Sequence, residues 1–152
     1  MHIFRIAKAR YINDLSGEGA RLYGGRWNKV GDPMIYFSEH LSLSLLEIIV
    51  HVDYGKFPLD YSFLKVEIPD ATVKIIGSID FIKPKWTTEE AVAQLQMFGS
   101  NWLKRQESLA LKVPSAVLQK ENNILINPLH KDFKKLKIIE IDKMDLDPRL
   151  LR

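Results

Sequence analysis

Several short stretches of this chain carry side chains able to do chemistry, and each also has a plainer reading. In Gly24-Gly25-Arg26-Trp27-Asn28 a guanidinium and a side-chain amide stand on a glycine-rich loop, where backbone N–H groups approach an anion with no Cβ in the way. Phosphate binding fits that composition, and so does a tight turn with Trp27 in the core and Arg26 at the surface. Tyr36 lies in the apolar run Met34-Ile35-Tyr36-Phe37, which leaves its phenol either bonded to backbone or offering its ring to a flat ligand. Glu47 is the sole carboxylate among Leu43, Leu45, Leu46, Ile48, Ile49 and Val50, and helical spacing with Leu43 and His51 sets it at the edge of the apolar stripe. At a cleft edge such a carboxylate stabilises positive charge developing on a sugar; facing solvent it is an ordinary helix glutamate. Ser115 follows Pro114 with no nucleophile-elbow motif and no nearby histidine, so a local hydrogen bond is its expected role. His2, His40, His51 and His130 show no metal-ligand spacing, and no metal is expected.

The elements that must position these residues follow from periodicity. Phe4 and Ile6 alternate around Arg5, which predicts an opening strand with Arg5 turned away from both. Four glycines between Asn13 and Gly25 predict a loop. After the turn Gly31-Asp32-Pro33, residues 34–37 read as a buried strand that Ser38 ends. Leu41, Leu45, Ile48, Ile49 and Val52 recur at helical spacing and predict a helix over 41–52 with Ser38 as its cap. Strands are expected over 61–68 and 72–76. A capping box of Thr87 with Glu90 opens a second helix through Ala91, Val92, Leu95 and Phe98. Strands over 109–113, 115–118 and 136–141, with a loop rich in Asn, His and Pro before the last, complete a mixed α+β domain spanning 1–152.

Composition narrows the classes. At 152 residues, 46% hydrophobic and 27% charged, the chain is sized for one core and falls near the globular average. Lys and Arg exceed Asp and Glu by 22 − 19 = 3, a surplus that permits affinity for phosphates or an acidic partner. The basic residues scatter, except for Lys131, Lys134, Lys135 and Lys137, which read as a solvated face. With no helix-turn-helix pattern either, direct nucleic-acid binding is not expected. The absence of cysteine excludes disulfides, thiolate catalysis and Cys-based zinc sites. The opening residues lack a signal-peptide pattern, and the apolar stretch over 41–52 is broken by Ser42, Ser44, Glu47 and His51, so a cytoplasmic protein without a membrane span is expected.

Taken in order, Gly24-Gly25-Arg26-Trp27-Asn28, Met34-Ile35-Tyr36-Phe37-Ser38-Glu39, Leu45-Leu46-Glu47 and Val113-Pro114-Ser115-Ala116-Val117 resemble the RES domain, whose name records Arg, Glu and Ser. The resemblance continues through Asn123-Ile124-Leu125-Ile126-Asn127-Pro128 and His130 to Phe133; Gln119, Asn122 and Ile124 depart from the usual pattern. It implies an ADP-ribosyltransferase-like fold, with two small β-sheets and flanking helices around an NAD⁺ cleft. It also implies the toxin half of a type II toxin–antitoxin pair, acting on NAD⁺ as substrate with no further cofactor. Arg26, Tyr36, Glu47 and Ser115 would be the catalytic residues, Glu47 as the catalytic glutamate, Arg26 and Ser115 as the motif arginine and serine and Tyr36 as the cleft tyrosine. Arg5, Gly24, Gly25, Arg26, Trp27, Asn28 and Tyr36 would hold the dinucleotide. An Xre-like helix-turn-helix antitoxin is the expected partner, with room for a homodimer inside such a complex. Degradation of NAD⁺ by water or phosphate, mono-ADP-ribosylation of a protein, and a non-catalytic phosphate-, RNA- or antitoxin-binding domain are the readings left open.

Overall fold

In the computed structural model, which describes residues 1–52, 60–77, 79, 82 and 85–151, the alternation around Arg5 becomes strand β1, His2–Lys8. Helix α1 (Glu18–Tyr23) follows, then β2 (Ile35–Ser38) and helix α2 (Leu41–Ile49). Next come β3 (Tyr61–Glu67), β4 (Val73–Ile75) and helix α3 (Val92–Arg105). β5 (Ala110–Pro114), β6 (Asn122–Ile126) and β7 (Lys137–Lys143) close the order. The described strands form one sheet in the order β4-β5-β6-β2-β1-β3-β7, antiparallel except between β4 and β5.

The sheet is unevenly joined. β1 and β3 pair along their whole length, from His2 with Glu67 to Lys8 with Tyr61, and β2 and β6 pair from Ile35 with Ile126 to Ser38 with Asn123. Between β1 and β2 the register reduces to Phe4 opposite Ser38. The two small sheets implied by the resemblance are therefore halves of one sheet, still hydrogen-bonded at a narrow isthmus and splayed beyond it.

Both faces of the central strands are buried. Ile124 and Ile126 join Ile35, Phe37, Leu64 and Val66 in one core, while Leu125 joins Trp27, Met34, Leu95, Leu111 and Val113 in the other, under α3. This alternate burial is what holds β6 in the middle of the sheet although its sequence opens on two asparagines.

Several expectations need correction. Residues 115–118 are not a strand: the Ser115 hydroxyl accepts the backbone N–H groups of Val117 and Leu118, both at 3.0 Å, and curls the segment into a turn. The stretch read as an Asn-rich loop contains β6. The glycine-rich stretch contains α1, and α2 ends at Ile49 rather than residue 52. Ser38 closes β2 instead of capping α2; the N-cap position falls on His40, with no side-chain cap. The expected capping box does not form: Thr88 rather than Thr87 takes the N-cap position of the 3₁₀ turn Glu89–Ala91 that leads into α3, with no side-chain cap, and its hydroxyl donates to the Lys85 carbonyl. Among the described residues no helix is long and apolar enough to cross a membrane.

Candidate active site

The glycine-rich loop is shaped by its own side chains. The Asn28 amide is fully buried and donates to the carbonyls of Ala20 at 2.8 Å, Asp32 at 2.9 Å and Lys29 at 3.2 Å. Its Oδ1 accepts the Tyr36 hydroxyl at 2.7 Å, and that hydroxyl in turn accepts the Trp27 backbone N–H at 3.1 Å. A Cβ on Gly25 would stand 2.5 Å from the Tyr36 hydroxyl, so a glycine is what lets this loop close on the tyrosine. Helix α3 braces it from behind: Gln96 Nε2 donates to the Gly25 carbonyl at 2.9 Å and Ser100 Oγ accepts the Lys29 N–H at 3.1 Å. At Gly99 an added Cβ would fall 1.9 Å from the Trp27 carbonyl oxygen.

Held this way, Arg26 projects from the loop with its guanidinium 3.5 Å from the Thr87 carbonyl and 3.6 Å from the exposed Glu89 carboxylate. Both contacts are long, which leaves most of its donors available. Burial pushes the Tyr36 phenol well above its ordinary value, outweighing the contacts with the loop backbone and the Arg26 charge. Tyr36 is thus a neutral phenol whose hydroxyl is committed to the loop.

Glu47 is half-buried on α2, with Oε1 accepting from Ser115 Oγ at 2.7 Å and from Asn123 Nδ2 at 2.6 Å. Asn123 Oδ1 accepts the Ser38 hydroxyl at 2.7 Å, across the β2–β6 register. Ser115 is fully buried behind the carboxylate, with its lone pairs taken by backbone N–H groups and its proton given to Glu47. Fully buried, it lacks the exposure to act as a nucleophile on a ligand in the cleft.

Arg5 donates to the Asp14 carbonyl at 2.6 Å. Burial lowers its affinity for the proton and the Asp14 carboxylate opposes this, but a guanidinium stays charged through the whole physiological range.

A cleft joins these groups. One lobe, about 270 Å³, opens in the splay between β1 and β2 with Arg5 in its wall; the other, about 850 Å³, runs along the Gly24–Trp27 loop past Arg26. Tyr36, Glu47 and Asn123 border both lobes, so the carboxylate stands at their junction. A volume of this size suits a ligand of dinucleotide scale.

Of the residues expected at a ligand site, the cleft gathers Arg5, Gly24, Gly25, Arg26, Tyr36 and Glu47, with Trp27 touching the larger lobe only from the core. Asn28 is buried within the loop and Ser115 behind Glu47, so both act through neighbours. Sequence reading missed Asn123 and Gln96. The available signal for Asn123 was an asparagine leading an apolar run, since asparagine is depleted in strands. Among the described residues no group of three His, Asp or Glu side chains gathers as a metal site would need.

Fold and cleft define a small α+β protein in which one held carboxylate borders a lobe with Arg5 in its wall and a second lobe with Arg26 in its wall. The chain belongs to the RES-domain family, which it matches over residues 2–148. It is 35% identical over 155 residues to Toxin Res of Photorhabdus laumondii subsp. laumondii, covering 100% of this chain and 98% of that protein. It is 36% identical over 151 residues to the Prs ADP-ribosylating toxin of Sphingobium sp., covering 96% and 92% respectively. In fold it is similar to a chain of the M. tuberculosis MbcT-MbcA toxin-antitoxin complex, with a TM-score of 0.76 at 20% identity, covering 99% of this chain and 86% of that one.

Proposed function

We propose that this chain is a toxin that breaks the bond between nicotinamide and ribose in NAD⁺. The observation that carries the reading is Glu47: a carboxylate held on one oxygen by Ser115 and Asn123, at the junction of lobes that each bear an arginine. Departure of neutral nicotinamide leaves the ribose resembling an oxocarbenium ion, and a fixed carboxylate beside it stabilises that charge as it forms. Glu47 accepts a hydrogen bond from a ribose hydroxyl in the same role. Arg26, with the backbone of Gly24 and Gly25, supplies a charged fork for the pyrophosphate, and Arg5 a second cation in the smaller lobe. The Tyr36 ring offers an apolar wall, because its hydroxyl is already spent. With water as acceptor the products are nicotinamide, ADP-ribose and a proton; with phosphate, the ribose carries the phosphate instead.

A second reading is favoured by the name of the Sphingobium relative, an ADP-ribosylating toxin at 36% identity. In that case a protein nucleophile takes the ribose after the same bond breaks, through the same Glu47. An ADP-ribosyltransferase-like cleft serves both outcomes. The likeness in fold to a chain from a toxin-antitoxin complex supports an antitoxin partner for this chain, and an Xre-like helix-turn-helix protein is the kind we propose.

Induced expression of the wild-type chain beside Arg26→Ala and Glu47→Gln, with intracellular NAD⁺ and growth followed together, tests the reading. NAD⁺ and growth fall only with the wild type if NAD⁺ is degraded; growth arrest with NAD⁺ intact favours protein modification. Normal growth and NAD⁺ in all the cultures contradict both.

A further inference from the structure

We propose that Asn123 is a positioning residue that decides which side of the Glu47 carboxylate meets the ligand; the inference rests on the reading of Glu47 given above. Asn123 sits on β6 directly opposite Ser38 of β2, and its amide is held at both ends. The Ser38 hydroxyl, at 2.7 Å, occupies the amide oxygen, which turns the amide nitrogen toward Glu47 at 2.6 Å. On the other side, Ser115 donates to the same Glu47 oxygen at 2.7 Å. Its hydroxyl has no freedom to turn elsewhere, because the backbone N–H groups of Val117 and Leu118 fill its acceptor sites.

One carboxylate oxygen offers about two in-plane acceptor positions, so two donors saturate Oε1. Among the described residues no hydrogen bond reaches Oε2, while Glu47 itself borders both lobes. A half-turn of the carboxylate exchanges the names of its oxygens and leaves the arrangement as it was. The donors therefore fix the carboxylate plane and present one unsatisfied oxygen to the cleft, where a sugar hydroxyl is the chemistry it accepts. Ser115 alone leaves the carboxylate free to pivot about a single bond. Asn123 supplies the second point, and Ser38 keeps its amide from flipping.

The test measures kcat and KM for nicotinamide release by the full chain and by Asn123→Ala, Asn123→Asp and Ser38→Ala, with thermal unfolding of each. The expected result is kcat down about tenfold for Asn123→Ala with KM little changed, a smaller loss for Ser38→Ala, and the largest for Asn123→Asp. Aspartate matches the shape but cannot donate and sets a like charge beside Glu47. A folded Asn123→Ala variant with kcat within about twofold of wild type overturns the proposal. Side-chain amide resonances of Asn123 in isotopically labelled protein give a readout independent of turnover and of how the Asn123 variants fold. They shift on Glu47→Gln if the contact exists and stay put if it does not. A wild-type chain that releases no nicotinamide sinks the reading of the function, and the amide resonances then decide the positioning claim by themselves.

Discussion

The Tyr36 hydroxyl is spent on the loop, and removing it therefore affects stability before chemistry. Tyr36→Phe keeps the ring but strands the Trp27 N–H and the Asn28 Oδ1, and we expect a loss of about 1–3 kcal/mol in denaturant unfolding. NAD⁺ cleavage by the folded variant should fall far less than in Glu47→Gln. Since burial keeps the phenol neutral far above physiological pH, the activity of the wild type should show no alkaline limb that Tyr36→Phe abolishes, which a pH–rate profile of the pair checks. Glu47 was legible in the sequence because a lone carboxylate in an apolar helix needs a reason to be there. Asn28 was read as a ligand group because an amide on a glycine loop suits an anion. Its amide instead donates to the nearby carbonyls of Ala20, Lys29 and Asp32, a local closure that residue type and spacing do not announce.

At the scale of elements, α3 acts on the cleft through the loop it braces. Gly99→Ala drives a Cβ into the Trp27 carbonyl, so it should lose about 1–3 kcal/mol and weaken NAD⁺ binding through Arg26, whereas Gly77→Ala meets nothing and should be near neutral. Calorimetric unfolding and ligand titration of the two variants make the comparison. The sheet half bearing Asn123 has its own clasp: Glu39, just after β2, pairs with Lys112 of β5 and accepts the Asn122 amide at 2.9 Å. Burial pushes the Glu39 carboxyl up, and the Lys112 ammonium with the Asn122 amide outweighs it, leaving it below the ordinary value. A lowered folded value means the clasp contributes fully above about pH 4.3 and is lost as pH falls through that lower folded value. Lys112→Met should therefore cost about 1–2 kcal/mol at pH 7 and progressively less toward pH 3, read from denaturation midpoints. An unchanged gap across that range would remove the clasp from the account. The helix bearing Glu47 was legible from its apolar residues at helical spacing, the strand around Arg5 from a short alternation, and the strand around Tyr36 from an unbroken apolar and aromatic run. β6 was not: only three apolar residues follow its asparagines, and its burial on both faces erases the alternation that marks a strand.

For the whole molecule, the cleft is a consequence of how the sheet is joined. β1 and β2 meet at Phe4 and Ser38 and part beyond, so Arg5 on one half and Tyr36 on the other line a shared space, with Glu47 of α2 also in its wall. Order along the chain carried the family resemblance, and the split sheet explains why residues so far apart in sequence had to appear together. The continuous pairing through the isthmus could not be read from the sequence, because it depends on a single cross-strand position. The measurement that tests the central claim most directly is nicotinamide released from NAD⁺ by the purified chain, quantified by chromatography beside Glu47→Gln. The account predicts release matching the NAD⁺ lost, slowed by about 10²–10³ in Glu47→Gln. NAD⁺ left intact by the wild type, or equal release by the two, would contradict it.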